Sequence, residues 1–238
     1  MSTDAENLFK ELNQYCKEHA DEAIVKKYSR YFKDGYNAYG LTQALMDAKK
    51  EDLKKRGILD FDLIFNAAPL LMSTGKYEET SFILSMLTTL SDKYDVTVFQ
   101  RIGQLFETGI NNWAHADHLG MVTLPVFLKR QVLTKEDFIP WVTSEFKFKR
   151  RCVPVTFIKL IKEEQPYVLF NIIKPLMHDI EREVHQGVGW FLRESWKVNR
   201  EATEQFLLEY KNTAPRLIFQ YACEKMTAQE KLRFKKSV

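Results

Sequence analysis

The sequence has 238 residues, of which 45% are hydrophobic and 28% are charged, a balance that supports a folded globular protein and excludes a disordered chain. The formal net charge is only +3, so the chain as a whole is not strongly attracted to polyanions. The N-terminus is acidic, without a basic segment and an apolar run, and no stretch approaches the ~20 apolar residues of a membrane span. We therefore expect a cytoplasmic protein without membrane contact.

Apolar residues recur at helical spacing along most of the chain, and no convincing strand pattern interrupts them. The sets include Leu8, Leu12 and Tyr15; Ile83, Met86, Leu87 and Leu90; Phe157, Ile158, Leu160 and Ile161; Phe206, Leu207 and Tyr210. Turn residues break the pattern at Gly57, 73–75, 109–112, Thr134 and 212–215. This pattern predicts an all-α fold of antiparallel helix pairs, in one domain over residues 1–238.

The stretch N-N-W-A-H-A-D-H, residues 111–118, is the most informative one in the chain. Asn111 or Asn112 can cap a helix that begins at Trp113, which puts Trp113 and Asp117 on one face as residues i and i+4. A carboxylate beside a sugar can stabilise an oxocarbenium ion or position water, and an indole can pack against deoxyribose. The alternative is a core tryptophan with a solvated or capping aspartate.

The stretch E-F-K-F-K-R-R-C-V-P, residues 145–154, alternates basic and aromatic residues where an apolar helix begins. Arginines near a helix start suit phosphate oxygens, and Lys149, Arg150 and Arg151 are the candidates. Pro154 is tolerated early in a helix, which favours a helix start near Arg150. The alternative is a solvated basic turn.

The stretch H-Q-G-V-G-W-F-L-R-E, residues 185–194, places two glycines just before Trp190. Gly187 and Gly189 each cost a helix ~1 kcal/mol relative to alanine, so close packing or close approach of a partner is expected to compensate. Trp113, Arg151 and Trp190 are 38 and 39 residues apart, close to the ~40 residues of a HEAT repeat. If the period is real, the three residues line one concave basic surface of a helical solenoid.

The sequence gives little support for disulfides, metal sites or the common catalytic motifs. Cys16, Cys152 and Cys223 are far apart, which indicates neither a disulfide framework nor a zinc cage. The H-x-D-H cluster at 115–118 lacks the i, i+4 histidines of helical zinc sites, so no metal is expected. The sequence has no Gly-rich phosphate loop, no G-x-S-x-G elbow and no Cys/His nucleophile signature.

In order and spacing, three stretches resemble the AlkD family of bacterial DNA glycosylases: W-A-H-A-D at 113–117, R-R-C-V at 150–153 and V-G-W-F-L-R-E at 188–194. A fourth, R-Y-F-K-D-G-Y-N-A-Y-G at 30–40, is similar to the family's aromatic-rich N-terminal helix, with Tyr31 and Gly40 in register. The resemblance extends from about residue 25 to about residue 210 and implies a HEAT-like repeat fold.

The resemblance also implies the chemistry. It assigns Trp113 and Trp190 to the sugar-phosphate walls, Asp117 to cation stabilisation or water activation, and Arg151 to phosphate, with Tyr31 completing the aromatic set. The implied reaction is excision of positively charged N3- and N7-alkylated purines from double-stranded DNA, without a cofactor and without swinging the base into a pocket. We expect a monomer that associates with the nucleoid when bound to DNA.

Two departures from the family's pattern leave room for other functions. Phe148 stands where the family often has tryptophan, and Ala114 replaces a common acidic residue. The alternatives are a HEAT-like protein that binds damaged or branched DNA without cutting it, and a helical scaffold for proteins.

Overall fold

A computed structural model describes residues 3–33 and 35–236, and 15 α-helices account for most of them. The helices are α1 (Thr3–Glu18), α2 (Glu22–Ser29), α3 (Gln43–Lys55), α4 (Phe61–Ser73), α5 (Tyr77–Thr89), α6 (Val96–Thr108), α7 (Trp113–His118), α8 (Leu124–Lys129), α9 (Ile139–Val142), α10 (Lys147–Phe157), α11 (Pro166–Ile173), α12 (Arg182–Val198), α13 (Arg200–Tyr210), α14 (Arg216–Ala222) and α15 (Ala228–Leu232). Short 3₁₀ segments and one π-helical turn, Leu119–Thr123, connect some of them. No strand occurs in the described ranges, so the all-α prediction is confirmed.

Short polar side chains define several of the helix starts. Asp60 and Asp95 have extended backbones, and each carboxylate accepts a hydrogen bond from the backbone N–H three residues later, at Leu63 (2.7 Å) and Val98 (2.8 Å). Such contacts satisfy N–H groups that have no partner inside the helix. The turn predicted at Gly57 follows α3 directly, with a φ of 67° that suits glycine.

The chain divides into two compact units, Met1–Asn111 and Asn112–Val238. In the first unit, α4 packs against α1, α5 and α6, and α5 also contacts α3. In the second unit, α10 packs between α7 with its π-helical turn and α12, and α12 packs against α14. The single domain expected over residues 1–238 stays a prediction.

The segment 30–40 differs from the helix that the resemblance implies. Helix α2 ends at Ser29, and the described residues that follow, up to Gly40, are turn and irregular backbone; Asp34 lies outside the described residues. The buried carboxylate of Glu78 accepts hydrogen bonds from the backbone N–H groups of Tyr39 (2.8 Å), Gly40 (2.7 Å) and Leu41 (3.2 Å). Since these N–H groups bind a side chain of α5, they are not available to a helix.

Helix α12 is amphipathic, and it carries the predicted glycines. Its apolar residues Val184, Val188 and Phe191 are buried. A Cβ atom on Gly189 would lie 2.5 Å from Tyr221 Cβ and 2.8 Å from the Ile218 carbonyl oxygen, so α12 and α14 approach as closely as a glycine permits. Close packing therefore explains why Gly189 stands in α12 although glycine is less favourable than alanine inside a helix.

Among the helices of the described part of the chain, none combines the length and the apolar character that crossing a membrane requires.

We predict that Gly189→Ala lowers the free energy of unfolding by about 1–3 kcal/mol, although alanine is the better helix former, because Tyr221 and the Ile218 backbone must move. Gly187→Ala is the matched control, since its Cβ would lie 3.1 Å from Arg151 Cγ, a less severe approach than the 2.5 Å at Gly189. We expect the control to stay within about 1 kcal/mol of wild type in urea-induced unfolding. A Gly189→Ala variant as stable as wild type would contradict this explanation of the packing.

Candidate active site

Trp113 and Asp117 lie one turn apart on α7. Asn112 caps this helix, because its Oδ1 accepts a hydrogen bond from the His115 backbone N–H at 3.0 Å. The predicted cap and the predicted start at Trp113 are therefore confirmed. Both Trp113 and Asp117 are partly exposed, and residues i and i+4 of a helix share a face.

The Asp117 carboxylate forms a bidentate ion pair with Arg151 of α10. Arg151 Nε donates to Asp117 Oδ1 at 2.7 Å and Arg151 Nη2 donates to Asp117 Oδ2 at 2.8 Å. Only 6% of the Arg151 side chain and 15% of the Asp117 side chain are exposed. Two parallel charge-assisted hydrogen bonds fix both the position and the plane of the carboxylate.

Arg151 also joins this pair to α12. Its Nη1 donates to the backbone carbonyl of Glu183 at 2.5 Å. A Cβ on Gly187 would lie 3.1 Å from Arg151 Cγ, so the missing side chain leaves room for the arginine stem. Trp190 follows Gly187 by three residues on the same helix and is half-buried. The structure thus places Trp113, Asp117, Arg151 and Trp190 on three helices that pack in sequence within the second unit.

Arg150 forms a second, separate ion pair, with Asp179. Its Nε and Nη2 donate to the Asp179 carboxylate at 2.6 and 3.0 Å, while Nη1 donates to the carbonyls of Ser144 (2.7 Å) and Glu145 (3.1 Å). Most of its N–H groups are therefore bound inside the protein. The expected phosphate roles of Arg150 and Arg151 stay predictions, and the geometry shows each guanidinium engaged by a carboxylate.

The remaining basic residues of the 145–151 stretch, Lys147 and Lys149, differ in their partners. Lys147 forms ion pairs with Glu183 (3.2 Å) and Glu181 (3.5 Å). Burial alone would lower the pKa of Lys147, but the hydrogen bonds and charges of the two glutamates outweigh burial and raise it. Lys149 has no ion pair with any residue that the structure describes, and its Nζ lies 5.3 Å from the centre of the Trp141 ring.

Helix α10 begins earlier than the sequence indicated. It starts at Lys147, three residues before the predicted start near Arg150, and Pro154 lies inside it rather than in its first turn. Helical hydrogen bonds already begin at the Phe146 carbonyl, which accepts from the N–H groups of Lys149 (3.0 Å) and Arg150 (3.1 Å). Because of this earlier start, Arg150 and Arg151 both lie within α10: Arg151 binds groups of α7 and α12, whereas Arg150 binds groups in the loops at 144–145 and 179.

A π-helical turn follows Asp117 directly. The Leu124 N–H donates to the Leu119 carbonyl, five residues back, and Pro125 next to it has no N–H to continue an α-helix. Within this turn, a Cβ on Gly120 would lie 2.7 Å from Val155 Cγ1, so the glycine lets the turn pack against α10. In the sequence, Gly120 and Pro125 of L-G-M-V-T-L-P, residues 119–125, are the two residues that could have indicated this turn, and Gly120 was not predicted.

Cys152 lies close to Asp117 but is a poor candidate for a nucleophile. Cys152 is buried, and its thiol donates to the Ala116 carbonyl at 3.2 Å. Burial raises the pKa of the Cys152 thiol well above its usual range, and the Asp117 charge adds to this effect while Arg151 opposes it. A protonated thiol is a weak nucleophile, so Cys152 does not suit nucleophilic catalysis.

Tyr31 belongs to the first unit and lies in the turn after α2 with 52% of its surface exposed. Its hydroxyl accepts a hydrogen bond from Arg30 Nη2 at 2.7 Å. Sequence reasoning missed Glu183 and Asp179, because one contributes a backbone carbonyl and the other lies 29 residues from its arginine partner.

We predict that the Asp117–Arg151 pair is strongly coupled. In a double-mutant cycle with Asp117→Asn and Arg151→Met, the coupling free energy should reach about 2 kcal/mol or more, because each single change leaves a mostly buried charge without its partner. The matched control is Asp62 with Arg101, an ion pair of the same residue types in which 83% of the aspartate is exposed. Its coupling should stay below about 1 kcal/mol. Equal coupling in the two cycles, measured by chemical denaturation, would contradict the role of burial.

Comparisons with known proteins identify the family of the chain. Residues 12–226 match the model of a family described as DNA alkylation repair enzyme. A predicted DNA alkylation repair enzyme from Enterococcus faecalis is 13% identical with a TM-score of 0.74, over 88% of this chain and 98% of that one. AlkD2 from Streptococcus mutans is 16% identical with a TM-score of 0.59, over 87% and 99%. No curated protein sequence matches. The resemblance to AlkD-type proteins and the helical repeat fold are thereby confirmed, and the chain belongs to the DNA alkylation repair enzyme family.

Proposed function

We propose that the protein is a DNA glycosylase that hydrolyses the N-glycosidic bond of positively charged N3- and N7-alkylated purines in duplex DNA. The observation that supports this most directly is the Asp117 carboxylate, held in a fixed orientation by Arg151 while 15% of its side chain stays open to solvent. A negative charge fixed beside a reacting sugar stabilises positive charge that develops there, without reorganisation during the reaction.

The chemistry needs only a few groups. A purine alkylated at N3 or N7 already carries a positive charge, so it leaves as a neutral base with the electrons of the glycosidic bond, and no general acid has to protonate it. Positive charge develops on the sugar as an oxocarbenium ion, which the Asp117 carboxylate stabilises. Water then adds to C1′ and loses a proton. A carboxylate has about four acceptor positions, so Asp117 can bind this water while it holds Arg151.

Trp113 and Trp190 are suited to flank the nucleotide. Both are half-buried, so each combines a held position with an exposed aromatic surface. An indole face packs against the apolar face of deoxyribose and interacts favourably with developing positive charge. Arg151 acts in this proposal by orienting Asp117, and its expected contact with phosphate stays a prediction.

The charge distribution supports a nucleic-acid substrate. The second unit carries 21 Lys and Arg residues against 15 Asp and Glu residues, a net charge of +6, whereas the first unit has 14 against 17, a net charge of −3. The unit that contains Asp117 is therefore the basic one. In the first unit, Tyr31 and Arg30 offer an exposed aromatic ring with a guanidinium 4.8 Å from its centre, a combination that suits nucleic acid.

A second candidate function is DNA binding without base release. It is favoured by one observation, the use of both Asp117 oxygens by Arg151, which leaves fewer acceptor positions for water. In this case the protein would bind damaged or branched DNA through the same residues. Base release by the wild-type protein separates the two functions.

We predict that Asp117→Asn lowers the single-turnover rate of 7-methylguanine or 3-methyladenine release by about 10²–10³, because the amide carries no charge to stabilise the sugar cation. The double variant Asp117→Asn, Arg151→Gln should be equally slow, and it avoids a buried unpaired arginine. Asp92→Asn is the control, since Asp92 is exposed and lies in the first unit. Wild-type release no faster than the spontaneous rate would rule out the glycosylase. A folded Asp117→Asn variant with more than a tenth of the wild-type rate would remove Asp117 from the mechanism.

We predict that Lys149 binds phosphate, because the other three basic residues between Lys147 and Arg151 have carboxylate partners in the protein. Lys149→Ala should weaken duplex binding uniformly across sequences and reduce the salt slope of log Kobs by about 1. Lys135→Ala is the control, since Lys135 forms an ion pair with Glu164 at 3.1 Å. Fluorescence anisotropy over a range of salt concentrations measures both slopes, and an unchanged slope for Lys149→Ala would contradict the prediction.

A further inference from the structure

Ile180 is the most exposed large hydrophobic residue of the described ranges. It lies just before α12 with 88% of its surface exposed, whereas no other large apolar side chain exceeds 53%. A single exposed apolar residue is common on protein surfaces and by itself carries little meaning. Ile180 differs because of how its loop is held and where that loop lies.

The loop that presents Ile180 is fixed on both sides. Asp179 is held by the guanidinium of Arg150, its Oδ1 also accepts from the Glu181 backbone N–H at 2.8 Å, and its carbonyl accepts from His185 Nε2 at 2.5 Å. On the other side, Glu181 lies 3.5 Å from Lys147 Nζ. Ile180 therefore stands on an ordered backbone, and a ligand that contacts it need not order the loop first.

The loop is close to the candidate active site. Ile180 precedes Glu183 by three residues, and the Glu183 carbonyl accepts the hydrogen bond from Arg151, which in turn holds Asp117. Because an extended chain spans at most ~3.6 Å per residue, Ile180 lies within about 11 Å of Glu183. The acidic neighbours Asp179 and Glu181 are paired with Arg150 and Lys147, so the loop does not present unpaired negative charge to a polyanion.

An aliphatic side chain cannot bind a phosphate or donate a hydrogen bond to a base. Outside the base stack, a DNA duplex offers apolar surface at its deoxyribose groups and at the thymine methyl groups of the major groove. Of these, only the deoxyribose groups flank a damaged nucleotide in every sequence. We propose that Ile180 contacts the substrate by packing against the deoxyribose groups that flank the damaged nucleotide, and so helps to hold the lesion at Asp117. This inference rests on the proposed function, since it takes damaged duplex DNA as the ligand.

The test measures duplex affinity separately from base release. The probe is a fluorescein-labelled duplex with a central tetrahydrofuran abasic-site analogue, and its Kd is measured by fluorescence anisotropy. Ile180→Ala should weaken binding about 10-fold, the loss expected when most of a buried isoleucine contact is removed. Ile180→Leu should restore binding to within about 3-fold of wild type, because it keeps the apolar volume.

The controls distinguish a direct contact of Ile180 with DNA from a loss of protein stability and from the base-release reaction. Ile139→Ala removes another exposed isoleucine of the second unit, at 50% exposure, and should bind like wild type. The Tm of Ile180→Ala should equal that of wild type, because its side chain has little to lose from the folded protein. Wild-type affinity in Ile180→Ala, or an equal loss in Ile139→Ala, overturns the inference. Wild-type protein that binds the probe through Ile180 but releases no alkylated base overturns only the glycosylase proposal.

Discussion

The arrangement of the candidate active site depends on one ion pair, the bidentate contact of Arg151 with Asp117. Arg151 projects from α10, binds the carboxylate on α7 and donates to the Glu183 carbonyl on α12. Three helices are therefore joined at one guanidinium. The pair is mostly buried, so its charges are screened less by water and salt than those of a surface pair. A carboxylate fixed in this way has a definite orientation before any substrate binds, which is the condition for electrostatic stabilisation of a sugar cation.

The same contact explains why the basic stretch of α10 is not simply a surface for phosphate. Arg151 binds Asp117, Arg150 binds Asp179, and Lys147 binds Glu181 and Glu183. Paired charges attract DNA less than free ones, because the nearby carboxylates offset their field. Attraction of the second unit to polyanions must therefore come from its net charge of +6 and from cations such as Lys149, which forms no ion pair within the described ranges.

Close helix approach is the second constraint on the site. Gly120 lets the π-helical turn pack against Val155, and Gly187 leaves space for the stem of Arg151. Gly189 lets α12 pack closely against α14. A larger residue at Gly120 would move the turn after α7 away from α10, and these two helices carry Asp117 and Arg151. The glycines therefore act on the site through packing, even though none of them contributes a polar side chain to it.

The sequence by itself determined the helical class, a cap at Asn111 or Asn112 and the shared face of Trp113 and Asp117, because helix periodicity and capping act over a few residues. It also marked the glycines of α12 as positions that need close packing. Only the tertiary structure decided that Arg151 pairs with Asp117, that Glu78 binds the backbone of 39–41, and that Lys149 has no carboxylate partner among the residues that the structure describes. These contacts join residues that lie 34 to 39 positions apart, or depend on which neighbours a side chain meets after packing, and no local pattern encodes such pairings.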